Sequence, residues 1–272
     1  MFRKILSAVL LLTVLVSVCT VTASAADCFG KESAVKTYVD SDPVTPLEST
    51  ELYGMTFASV KSFAVIMGAQ NIRCDPGAVT VETDTGKIVF TEDSRIVKVN
   101  DYRYYIAEGR CTFANNTLMA PLEVLCRAFD AKMVTNEETG EFYLATGAGG
   151  GSDFTEDDVK LMAQLVQAEA GNQCMDGKVG VVNVVLNRID SRYFPTQIQD
   201  IIFDTQNGVQ FDPVYDGSIY NTPGRDAYTA VYEALEGYNP VGESLFFAAT
   251  TDCWAAYNRP LITVIEDHYF YG

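Results

Sequence analysis

Apolar side chains between residues 155 and 170 recur with helical spacing. On a wheel of about 100° per residue, Leu161, Met162, Leu165 and Val166 share one face and Asp157, Lys160, Gln164 and Gln167 the other. Thr155 followed by Asp158 forms a capping box, with acids in the first turn where the helix dipole favours them. This predicts a helix from Glu156 to Ala170, with Gly171 as its terminating residue. The next helix, over 176–189, is apolar nearly all round (Val179, Val181, Val182, Val184, Val185, Leu186, Ile189), as a central buried helix would be. Asn183 and Asn187 lie on one side of it with Gly180, so two amides must be satisfied either in the interior or in a cleft. A polar, glycine-bearing region from Gln210 to Gly217 follows, then a helix over 225–236 and strand-like runs at 244–248, 261–265 and 268–271.

The upstream half carries an internal repeat. Phe57 to Ala69 aligns, 62 residues on, with Met119 to Ala131, and each copy is a short amphipathic helix followed by a strand-like run, Val79–Thr83 or Glu141–Ala145. Lys87–Phe90 and Arg95–Val99 between them read as a hairpin. A glycine cluster from Gly147 to Gly151 reads as a flexible linker. The predicted class is α+β in two domains. Residues 27–146 form an N-terminal α/β repeat domain, 147–154 the linker, and 155–272 a mainly helical domain with a small β-sheet. Ahead of them, Arg3 and Lys4, the apolar run Ile5–Val18 and the small residues Ala23 and Ala25 predict a signal peptide over 1–26, and with it export. The run falls short of the ~20 apolar residues of a membrane-spanning helix.

Composition narrows the chemistry. With 48% hydrophobic residues the chain is too apolar for intrinsic disorder, and a formal charge of −17 makes nucleic acid and membrane surfaces poor partners. A single histidine, His268, rules out a site built on several imidazoles; no metal or other cofactor is expected. Past the leader, Cys28, Cys74, Cys111, Cys126, Cys174 and Cys253 allow up to three disulfides or stand as small buried side chains.

Glu169 is the candidate catalyst. It projects from the middle of the apolar face in the last turn of its helix, where burial and the helix dipole both disfavour the carboxylate. A carboxylic acid held protonated near neutral pH suits protonation of a glycosidic oxygen. The alternative is a structural Glu169 paired with a buried arginine such as Arg188.

Two resemblances add to this reading. The repeat, with Ala120-Pro121-Leu122 and with Ser59 in place of a proline in its first copy, resembles the small domain at the N-terminus of copper amine oxidases, a structural or wall-docking module; without a histidine there, copper is not implied. In the downstream half, Glu169 between two alanines, Gly177, Val184 to Arg188, Phe194-Pro195, Gln210-Phe211 and His268 to Tyr271 follow the pattern of the SleB-type spore cortex-lytic and cell-wall hydrolases. That resemblance implies a lysozyme-like fold. It also implies a secreted, metal-free enzyme acting on peptidoglycan glycan strands in cell wall or spore cortex, with Glu169 as acid and then base. Gln210, Phe211, Tyr215, Asn187, His268 and Tyr271 are the candidate substrate contacts, with Tyr220 beside them; Gln210, Phe211, Tyr215, Tyr220 and Tyr271 are equally able to be core or rim, and Asn187 reads more readily as a buried structural amide. Two departures stand out: Gln173 where the family often has a second glutamate, and Glu266 where it has a glycine. Asp212 and Asp216 are available as partner acids for a two-carboxylate glycosidase. The rival readings are a Cys174–His268 peptidase or amidase, with the thiol at a helix N-terminus, and a wall-binding module without catalysis.

Overall fold

The computed structural model describes residues 33–114, 116–206 and 208–272. The expected signal peptide and Cys28 lie outside them. Among the described residues no helix is long and apolar enough to cross a membrane. The fold is mixed α and β.

Residues 33–155 are strand-rich. β1 (Ser33–Val39), β2 (Asp42–Leu52) and β3 (Met55–Ser59) lead into α1 (Val60–Ile66), then β4 (Asn71–Asp75), β5 (Ala78–Thr83), β6 (Gly86–Thr91), β7 (Ile96–Val99) and β8 (Arg103–Ile106). β9 (Thr112–Ala114) and β10 (Thr117–Pro121) lead into α2 (Leu122–Ala128), β11 (Ala131–Thr135) and β12 (Phe142–Thr146). The sequence repeat becomes a structural pair. β3 and β10 run antiparallel with Ser59 opposite Met119 and Phe57 opposite Pro121, so the two repeat helices start side by side. Ser59, the departure from proline, is the N-cap of α1: its Oγ accepts from the Ser62 N–H at 3.2 Å. Seven strands form one sheet in the order β11-β12-β1-β2-β3-β10-β9, antiparallel except for β1 with β12, and β4 to β8 form most of a second. Phe63, Leu125, Phe90, Val97 and Leu144 pack both helices and both sheets into one core.

The glycine cluster is not a free tether. Gly147 N–H and Ala148 N–H donate to the Asp130 carbonyl at 2.7 and 3.2 Å, and a Cβ on Gly149 would fall 2.6 Å from the Ala131 nitrogen. Asp153 accepts from Arg127 and from the Ile106 N–H, and β13 (Phe154–Thr155) adds to β8 as the sixth strand of the second sheet. The residues act as a spacer packed on β11 rather than as a flexible linker.

β13 delivers Thr155 to the start of α3 (Glu156–Ala170), whose capping box with Asp158 forms as the sequence predicts. Gly171 ends the helix without entering the left-handed region (φ −55°); space is what requires glycine, since a Cβ would sit 2.5 Å from the Gln167 carbonyl oxygen. α4 (Met175–Asp190) is the buried central helix, packed against α3 and, beyond α5 (Ile198–Ile202) and α6 (Asp212–Asp216), against α7 (Arg225–Leu235). β14 (Phe246–Ala248), α8 (Trp254–Asn258), β15 (Leu261–Ile265) and β16 (His268–Tyr271) complete the chain, with the strands ordered β14-β16-β15. Gly180 lets α4 approach β16: a Cβ there would meet Phe270 Cζ and Val241 Cγ1, each at 2.8 Å.

The two halves share groups. Tyr104 of β8 is fully buried in the helical core, donating its hydroxyl to Glu156 and lying 3.3 Å from the Tyr232 hydroxyl. Glu236, just after α7, accepts from Ser94 Oγ at 2.5 Å, the Arg95 N–H at 3.0 Å and Arg110 Nη1 at 2.9 Å.

Gly180→Ala is expected to lose about 1–3 kcal/mol of stability through overpacking against Phe270 and Val241, measured as a fall in the urea midpoint with an unchanged slope.

Candidate active site

Glu169 lies in the last turn of α3, flanked along the helix by the buried Leu165, Val166 and Ala170. It is half-buried and, among the described residues, makes no ion pair or hydrogen bond. Burial pushes its carboxyl up to about 7, and the negative charges of Asp212 and Asp216 on α6 push the same way. α6 owes its position to Phe211, which is only 2% exposed and packed in the helical core, to Pro213 in its first turn, and to Gly217, whose φ of +83° ends it. Asp216 is turned back on its own loop: the Ser218 side chain, and then the Ser218 N–H donating to Oδ1 at 2.8 Å, hold its carboxyl below the usual range. One acid is thus raised while a neighbour stays ionised.

Arg188 is not the partner of Glu169. Its Nε donates to the Leu245 carbonyl at 2.8 Å, and its guanidinium stacks on Phe194, Phe211 and Phe246 with centroid distances of 4.7, 5.1 and 5.4 Å. Burial pulls it down to about 10, opposed by Asp204.

The expected substrate contacts separate. Asn187 is structural: Nδ2 donates to the carbonyls of Gly242 at 2.7 Å and Ser244 at 2.9 Å, holding the chain ahead of β14. Asn183 does the same with Tyr238. Phe211 and Tyr271 are core side chains, and Phe211 also forms part of the wall of a small cavity shared with Arg188 and Gln210. Gln210 is half-buried, with Nε2 donating to Gly208; Tyr215, at 85% exposed, and Tyr220 stand in solvent beside α6. His268 is buried against Phe247 and Phe270 with Nδ1 unpartnered, and burial lowers its pKa.

Cys174 and His268 share no hydrogen bond. Cys174 caps α4, and its N–H donates to Glu266 Oε2 at 2.6 Å. All five described cysteines are free thiols; Cys111 and Cys126 are buried and pushed up to about 12. Among the described residues no three His, Cys, Asp or Glu side chains are grouped to hold a metal ion.

The sequence reading passes over Phe246, Phe247 and Trp254. With Arg188 and Gln210 they line a cavity of about 190 Å³ next to the segment that leads into α6. A lone tryptophan in a short run with Tyr257 and Arg259 was the available signal.

Comparison with known proteins gives the class. Residues 172–271 match the Cell Wall Hydrolase family, and the C-terminal half carries a domain of that kind; Glu169 lies three residues ahead of the matched segment. Over the same half the chain is homologous to spore cortex-lytic enzymes. It is 34% identical over 129 residues to that of Bacillus subtilis (46% of this chain, 41% of the relative) and 37% identical over 120 residues to that of Halalkalibacterium halodurans (43% and 35%). The chain therefore spans less than half the length of these curated relatives. Among solved structures it is similar to the catalytic domain of the germination-specific lytic transglycosylase SleB from Bacillus anthracis, at 33% identity over 44% of this chain and 97% of that one, with a TM-score of 0.41.

Ionising Glu169 costs stability in the folded state. The contribution of its neutral form is full below the unfolded value of 4.5 and is lost as the pH climbs to about 7. Glu169→Gln is expected to melt above the parent at pH 8, by a stability gain on the order of 2 kcal/mol, with the two curves converging near pH 4.

Proposed function

We propose that this protein cleaves the glycosidic bond between N-acetylmuramic acid and N-acetylglucosamine in peptidoglycan, as a lytic transglycosylase with Glu169 as its one acid–base group. The observation that carries the reading is a half-buried carboxyl, held by desolvation near pH 7, with no cation among the described residues to neutralise it. The names of the relatives, cortex-lytic enzymes and a lytic transglycosylase, agree with it.

Protonated Glu169 gives its proton to the bridging oxygen as the C1–O bond breaks, and the departing N-acetylglucosamine leaves with a free hydroxyl. Positive charge developing at C1 of the muramic residue faces a carboxylate that is now ionised, with Asp212 and Asp216 adding negative potential. The C6 hydroxyl of the same residue attacks C1 and returns its proton to Glu169, closing a 1,6-anhydro ring. No water is consumed and the carboxyl is ready again. Attack by water instead gives a reducing sugar and a muramidase. Residues 27–146 serve in this reading as a docking or structural module, and the site of action is the cell wall or spore cortex outside the cytoplasm.

Digestion of purified peptidoglycan with mass spectrometry of the fragments tests the reaction. Anhydro-muropeptides, one water lighter than hydrolysis products, are expected. Free peptide stems would instead establish the Cys174 enzyme, and intact sacculi a binding module. Glu169→Gln should cut the rate by about 10²- to 10⁴-fold without unfolding the chain; full activity in that variant rejects the mechanism.

The pH profile follows from the acid. Activity needs the protonated form, so kcat/KM should fall tenfold per unit above about pH 7. Asp212→Asn removes a charge that raises Glu169, so the alkaline limb should move to lower pH, and the maximal rate should fall with the loss of its negative potential at C1; an unmoved limb would show that another group sets it.

A further inference from the structure

The 190 Å³ cavity beside α6 holds chemistry that the acid–base step does not use. Arg188 is 3% exposed and reaches no carboxylate within ion-pair distance among the described residues. Its Nε is satisfied by Leu245, but Nη1 is buried without any partner. An unmet buried donor costs about 1–3 kcal/mol, and more when charged, so the fold keeps it at a price that a ligand oxygen would remove.

The walls say what carries that oxygen. Phe246 and Phe247 line the cavity, Gln210 adds an amide at its edge, and Trp254 stands 5.4 Å from the Phe246 ring, edge-on, with 58% of its surface open to solvent. Arg259 lies over the same indole at 5.6 Å. The volume is below the ~300 Å³ at which self-contained small-molecule sites begin, so the cavity suits one substituent of a larger ligand. That substituent needs an acceptor oxygen for Arg188, a small apolar body for the phenyl rings, and a ring that can lie against an exposed indole. A full anion is the poorer fit, because Asp204 already offsets the guanidinium charge and the chain as a whole is strongly acidic.

We propose that this cavity is a subsite that reads the 2-acetamido group of an N-acetylhexosamine in the glycan strand. The acetamido carbonyl accepts from Arg188, the methyl group packs on Phe246 and Phe247, and the sugar ring rests on Trp254. The subsite rests on the preceding reading only for the identity of the polymer. Arg188 here is a specificity determinant, apart from the reacting bond.

Trp254 is the only tryptophan in the chain, so emission excited selectively from the indole, apart from the tyrosines, reads this cavity alone. The full-length Glu169→Gln protein, which leaves the sugar intact, is titrated with chitotetraose and with cellotetraose, which has hydroxyls in place of acetamido groups. A saturable change with chitotetraose and an at least tenfold weaker one with cellotetraose are expected. Trp254→Ala, at an exposed position, should keep its melting temperature and weaken chitotetraose at least tenfold by calorimetry. Equal response to the two sugars, silence with chitotetraose, or a response confined to N-acetylmuramic acid and its carboxylate each overturns the proposal. The two readings fail separately. Anhydro fragments from a protein whose Trp254 is silent remove the subsite alone, and chitotetraose binding by a protein that releases no fragments removes the cleavage alone.

Discussion

Keeping one carboxyl half out of water with no cation beside it is the constraint on which the site depends. Glu169 would ionise freely on a solvated helix, and a neighbouring arginine would ionise it for good. The fold prevents both. Leu165, Val166 and Ala170 surround its turn with buried aliphatic groups, and Arg188, the cation available in the next helix, is turned away by the Leu245 carbonyl and three phenyl rings. The acid keeps a large protonated fraction near neutrality, and the guanidinium is left with a donor to offer elsewhere. One separation of charges produces both the proposed catalyst and the proposed subsite.

That arrangement is anchored from a distance. α3 begins where β13 joins the second sheet of the upstream half, so the helix that carries Glu169 is tied at its N-terminus to the strand pair β8–β13. Tyr104 reaches from β8 into the helical core and meets Glu156 in the first turn of the same helix. At the far side, Glu236 ends α7 by accepting from Ser94, Arg95 and Arg110. A loose tether would let the helical half swing against the strand-rich half; here backbone hydrogen bonds and a shared buried tyrosine hold the two in register.

The parts of the fold governed by local rules were legible. The capping box, the apolar stripe and Gly171 give α3 its full extent, and the β-branched and aromatic runs at 261–265 and 268–271 give β15 and β16 theirs. β2 was not legible. Pro43 and Pro46 argue against a strand, and the register of β1 with β2 shifts between Val35 and Thr37, which accommodates Pro46 opposite the irregularity. The site shows the same division. Glu169 stood out because an acid in an apolar stripe breaks a local pattern. Asn187, Phe211 and Tyr271 look like cleft residues in one dimension, while the partners that fix them, Gly242, Phe247 and the β14–β16 ladder, arrive from far along the chain. Trp254 and Phe246 meet Arg188 only through the same long-range packing.

The two departures from the family pattern have separate physical resolutions. Glu266 occupies the left-handed region at φ +47°, where a glycine would be unstrained and a glutamate costs roughly 1–2 kcal/mol. Its carboxylate accepts from the Cys174 N–H at the start of α4, where the helix dipole returns part of that cost. The turn therefore survives, and His268 keeps its place in β16. Gln173 is buried, its carbonyl accepting from Lys178 and its Oε1 unpartnered. A neutral amide tolerates that enclosure far better than a carboxylate, which would need a partner for a full charge. With no acid at that position, the proposed proton transfer rests on the single carboxyl four residues earlier, and the proposed cycle has to return to Glu169 the proton it gives up.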